Sequence, residues 1–104
     1  MKLNVYANQK TIAKTYEVDT YDILYGTVED ILGILDEVED MKTESEILKV
    51  VQRNRTKLNA LLLDIFGDQG LTEKELRNIK IKELVPLFID LFAYVRDSFG
   101  IEKN

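Results

Sequence analysis

Residues 84–95 read LVPLFIDLFAYV, apolar almost all round the helical wheel, with Asp90 the only charge before Arg96. Pro86 fits the first turn of a helix, where its missing N–H does least harm, and Gly100 is a stop signal, so the spacing predicts a helix over 83–99. A helix apolar on every side must either be the centre of a bundle or be covered by a partner. The run is about 12 residues long and broken by a charge, too short to span a bilayer.

Upstream, Thr72-Glu73-Lys74-Glu75 has the spacing of a capping box and predicts a short helix over 72–78, after a turn at Gly67-Asp68-Gln69-Gly70. Thr43-Glu44-Ser45-Glu46 is a second box. It opens the longest predicted helix, 44–66, stopped by Gly67, with Ile47, Val51, Leu58, Leu62 and Ile65 as its stripe. The stripe is interrupted by Gln52-Arg53-Asn54-Arg55-Thr56-Lys57. Asn54 falls where an apolar group belongs, so it is either a buried asparagine that sets a partner's register or part of a segment projecting into solvent.

Thr27-Val28-Glu29-Asp30 predicts a helix over 27–40, with Thr27 as cap and acidic residues complementing the helix dipole. Val28, Ile31, Leu32, Leu35 and Val38 share one face; Glu29, Asp30, Asp36, Glu37, Glu39 and Asp40 lie opposite, a solvated face or a docking face for a basic helix. Gly33 within it implies close packing or mere tolerance. At the start, KLNVY (2–6) and TIAKTYEV (11–18) flank Ala7-Asn8-Gln9-Lys10 and predict a β-hairpin over 1–18. A lone hairpin is marginal in water, so it packs on the helices or pairs its open edges with another chain, a route to a homo-oligomer. The fold class expected is mainly α: three main helices in a bundle, one short helix and a small N-terminal hairpin, in a single domain over 1–104.

Composition narrows the function. The 104 residues include no histidine and no cysteine, which removes imidazole chemistry, thiol nucleophiles, disulfides and thiolate metal sites. Net charge is −5, concentrated in residues 1–40, which argues against nucleic-acid or anionic-membrane binding. No basic segment leading into an apolar run opens the chain, so no export signal is expected. Carboxylate chemistry remains, and it fits poorly. Asp64, Asp68 and Glu75 match positions one, five and twelve of a calcium loop, but Phe66 and Gln69 occupy positions three and six, where an oxygen ligand and a glycine are required. Pairs such as Asp36 with Glu39 or Asp40 have no apolar pocket around them. A helix-turn-helix drawn across 58–78 would read DNA with Glu73, Lys74, Glu75 and Arg77, an even mix of charges. No catalytic role, cofactor or metal is expected.

The N-terminal text KLNVYANQKTIAKTYEV followed by DTYDILYGTVEDIL, together with the Leu71-Thr72 cap and the LVPLF run at 84–88, resembles the small tail assembly chaperones of long, non-contractile-tailed phages and prophages of Gram-positive bacteria. The resemblance implies a non-catalytic helical protein that binds the tape measure protein and keeps it soluble while the tail tube polymerises, acting in the host bacterial cytoplasm and absent from the mature virion. It also implies a longer form, made by a −1 frameshift, whose added segment recruits tail tube protein. Glu102-Lys103-Asn104 permits the slippery string A-AAA-AAC. On this reading Phe88, Leu91, Phe92 and Val95 form part of an apolar partner surface or self-association surface, and Asp36, Glu37 and Asp40 an acidic one. The rival class is a general helical adaptor or small inhibitor.

Overall fold

β-Branched and aromatic residues build the first element, as their patterning requires: Lys2–Tyr6 (β1) and Ile12–Glu17 (β2) pair antiparallel in the computed structural model, which describes residues 1–36 and 43–99. Asn8 makes the turn with its side chain and not with a left-handed backbone; its Oδ1 accepts from the Lys10 and Thr11 N–H groups at 3.0 Å each. Met1 and Val18 bond each other in both directions, the Met1 ammonium to the Val18 carbonyl at 2.7 Å and the Val18 N–H to the Met1 carbonyl at 3.0 Å. Alternation from that pair turns the backbone groups of Asn4 to one edge and those of Thr15 and Glu17 to the other. The same alternation sends Leu3, Val5 and Tyr16 into the core.

Among the described residues five α-helices follow: Tyr25–Leu35 (α1), Glu44–Arg53 (α2), Arg55–Phe66 (α3), Glu73–Leu76 (α4) and Ile81–Ser98 (α5). The mainly α architecture with a small hairpin is therefore the one the sequence predicts, with differences at three places. First, α1 begins at Tyr25, two residues before the expected Thr27 cap. Its cap position is Leu24, which offers no side-chain hydrogen bond, while Thr27 points inward and is buried. A single turn of 3-10 helix at Thr20–Asp22, capped by the Asp19 carboxylate on the Tyr21 N–H at 2.9 Å, delivers the chain to that start.

Second, the expected helix 44–66 is two helices. Asn54 leaves helical geometry at φ −118° and ψ 28°, and its side chain donates to the Val50 carbonyl at 3.2 Å. At 6% exposure it is a buried residue and not part of a projecting segment, although its neighbours Arg53, Arg55 and Lys57 are exposed. Third, the left-handed stop after α3 is Gly70 (φ 107°); Gly67 keeps a right-handed conformation and opens a 3-10 turn. The other two predicted N-caps, Thr43 and Thr72, form. Thr43 accepts from the Glu46 N–H at 3.2 Å, and Thr72 and Glu75 make a reciprocal capping box.

α5 is the centre of the molecule. It packs against α1, α2 and β1, and Phe88 and Phe92 stack with ring centroids 5.8 Å apart. The hairpin adds to the cover that the helices give its buried residues, Val85, Leu87, Phe88, Leu91, Phe92 and Val95. The molecule measures 41 × 28 × 19 Å, about two helix diameters across its thin direction, so the other helices each keep a face toward solvent. No helix among the described residues is long and apolar enough to cross a membrane.

Candidate protein-binding surface

Burial sorts the residues predicted to bind a partner. Phe88, Leu91, Phe92 and Val95 are 0–1% exposed, in contact with the hairpin and the facing helices, so they are core and not an accessible surface. The expectation of an apolar docking face on α5 is corrected on that ground. Asp36 is exposed at the C-terminal end of α1, where a negative charge is poorly placed against the helix dipole. Glu37 and Asp40 lie outside the described residues. In the Asp64, Asp68 and Glu75 spacing that matches a calcium loop only in part, Glu75 is engaged by Tyr16, Lys14 and Thr72, and among the described residues no group of three or more acidic side chains could hold a metal ion.

The apolar surface lies elsewhere. Tyr21, Leu24 and Tyr25 are 84%, 74% and 66% exposed, the three highest values among the large hydrophobic residues described, and they fall within five consecutive positions. They are presented by the 3-10 turn, the α1 cap position and the first residue of α1, ahead of the point where α1 turns its apolar stripe, Ile31 and Ile34, into the core. Tyr21 is steadied by an edge-to-face contact with Tyr94 of α5, centroids 6.1 Å apart. Leu24 lines a recess of about 620 Å³ together with Gly26, Thr27, Glu29, Asp30 and Asp64. Asp19, Asp22, Glu29, Asp30 and Asp64 ring the segment with negative charge, and none of them makes an ion pair among the described residues. Scattered apolar residues on a surface are ordinary; three large ones together with an acidic rim form a patch.

Reading the sequence for helical periodicity passes over this segment, since DTYDILY precedes the stripe and belongs to no amphipathic face. The available signal was the placement of two tyrosines and a leucine ahead of a helix start that has no polar cap.

A second polar region fixes the hairpin and does no chemistry. Glu83 at the start of α5 accepts from the Asn4 amide at 2.7 Å and from the Tyr6 hydroxyl, and Lys80 stands 4.2 Å over the Tyr6 ring. Glu75 accepts from the Tyr16 hydroxyl at 2.8 Å and pairs with Lys14 at 3.3 Å. The Tyr6 and Asn4 hydrogen bonds hold the Glu83 carboxyl below its ordinary value, and the Tyr16 bond does the same for Glu75. Gln69 closes the free edge of β2: it accepts from the Glu17 N–H at 3.0 Å and donates to the Glu17 carbonyl. The opposite edge is met by the Asn78 carbonyl, which accepts from the Tyr6 N–H at 2.9 Å. Each edge is thus met once by the protein's own chain.

No family model, curated protein or solved structure matches the chain.

Proposed function

We propose that this protein is a non-catalytic assembly chaperone of the phage tail type, which binds the tape measure protein and keeps it soluble in the host cytoplasm without entering the finished virion. The observation that carries the reading is the exposed Tyr21-Leu24-Tyr25 segment inside a stretch, residues 15–41, with nine acidic residues and no basic one. Such a surface suits the apolar face of an amphipathic helix with lysine or arginine along its borders. A long helical protein exposes many such faces before it is assembled, and a temporary apolar cover lowers its tendency to aggregate. The absence of histidine and cysteine from the whole sequence fits a role in binding. The resemblance over the hairpin and the DTYDILYGTVEDIL segment supplies the particular client.

The test is co-expression with a phage tape measure protein. A tape measure protein that stays soluble and copurifies with the chain supports the reading. One that aggregates equally with and without the chain contradicts it.

A further inference from the structure

One buried side chain beneath the acidic surface has no partner of its own. Thr27, in the first turn of α1, is 7% exposed, and its hydroxyl makes no hydrogen bond among the described residues. A hydroxyl sealed in the core without a partner would cost free energy. This one is not sealed, because among the described residues no side-chain oxygen or nitrogen is both unpartnered and shut off from solvent. Its opening is the recess of about 620 Å³ that Thr27 lines with Leu24, Gly26, Glu29, Asp30 and Asp64. The other five lining residues are exposed, so Thr27 is the floor.

The walls decide what the recess can hold. Glu29 and Asp30 come from α1 and Asp64 from α3, and none of the three makes an ion pair among the described residues. Three carboxylates outweigh the partial positive charge of the α1 N-terminus, so the recess selects a cation and rejects an anion. Among the described residues the acidic groups are not gathered closely enough to hold a metal ion. Carboxylates spread around a wall, above a hydroxyl that can accept, suit a planar donor with several N–H groups, which is the guanidinium of arginine. The ammonium of lysine is a compact point charge and matches such a wall less well. Leu24, 74% exposed, offers an apolar wall for the methylene stem.

We infer that this recess seats one arginine side chain of the partner helix, with its guanidinium between Asp30 and Asp64 and over the Thr27 hydroxyl, and its stem along Leu24. Leu24 belongs both to the recess and to the exposed Tyr21-Leu24-Tyr25 segment, so the seated arginine fixes the register of a helix whose apolar face covers that segment. The inference rests on the reading of that segment as a binding surface and adds the group that selects among helices. Apolar cover is non-directional and accepts many faces, whereas a charge-assisted contact to a planar donor accepts few.

The experiment is an NMR titration of the full chain with three helical peptides that differ at one position on the border of a leucine stripe: arginine, lysine, or citrulline, the uncharged counterpart of arginine. The arginine peptide is expected to shift the amides of residues 21–30 and Asp64 and to bind at least about tenfold more tightly than the citrulline peptide, with lysine in between. That advantage disappears in Asp30→Asn/Asp64→Asn and shrinks in Thr27→Val. Asp30 and Asp64 are exposed, and circular dichroism melts verify that both variants fold; Thr27→Val keeps the wild-type melting temperature, because the hydroxyl it removes has no partner within the fold. Equal affinity for arginine and citrulline, a lysine peptide as tight as the arginine one, or an arginine preference unchanged in Asp30→Asn/Asp64→Asn overturns the inference and leaves the apolar surface standing. Binding by none of the three peptides overturns that surface as a helix-docking site together with the inference. Peptides that behave as expected support the inference even where tape measure protein fails to copurify, a result that removes only the client's identity.

Discussion

Glu75 and Glu83 each serve two elements, and their titration sets a pH window for the hairpin. Both carboxyls lie below their ordinary value of 4.5, so their contribution to stability is complete above that pH and is lost as pH falls through the lower, folded-state value. The tyrosines facing them behave in the opposite sense. Tyr6, through its bond to Glu83, and Tyr16, through burial and its bond to Glu75, are raised above 10.0, so their contribution is complete below 10.0 and is lost as pH rises through the folded-state value. Thermal melts read by tyrosine near-ultraviolet dichroism should show a plateau between these limits. Glu75→Gln/Glu83→Gln should lower the plateau and flatten its acid side relative to wild type; an acid side identical to wild type would show that these two groups do not govern it. Little of this was visible in the sequence. Asn4 and Glu83 are 79 positions apart, and no local pattern announces that a hairpin asparagine and tyrosine will share one carboxylate. Asn54 was visible as an anomaly, but whether it was buried depended on how α2 and α3 bend.

Among the elements, what was legible followed from local chemistry. The caps at Thr43 and Thr72 formed because a threonine hydroxyl and the N–H three residues on are neighbours whatever the rest of the chain does. α1 was misplaced at its start because its cap position, Leu24, carries no capping chemistry to read. Removing the Thr72 cap by Thr72→Ala should cost about 1 kcal/mol in chemical denaturation. Because Glu75 belongs both to that cap and to the Tyr16 bond, Thr72→Ala and Tyr16→Phe should not add in a double-mutant cycle. Gly33 has no atom within 4 Å of where a Cβ would sit, so its role is not close packing, and Gly33→Ala should stabilise the protein by about 0.5–1 kcal/mol in the same assay. In α5, Leu91 is fully buried, and Leu91→Ala should cost about 2–5 kcal/mol whether or not a partner is present. A loss of client binding at unchanged stability would return α5 to the surface.

For the whole molecule, the hairpin adds to the cover that the helices give an over-apolar final helix, and the fold leaves the apolar surface at residues 21–25. The 45% hydrophobic composition thus divides unevenly, with the α5 residues inside and a small aromatic patch outside. Leu24→Ser/Tyr25→Ser should change folding stability by no more than about 0.5 kcal/mol, as both side chains face solvent, while abolishing copurification of the tape measure protein. The most direct test of this surface is amide hydrogen exchange of the full chain, alone and bound to tape measure protein. Added protection should centre on residues 21–30 and on α3 around Asp64. Unchanged exchange over residues 21–30, with new protection confined to other segments, would contradict the account.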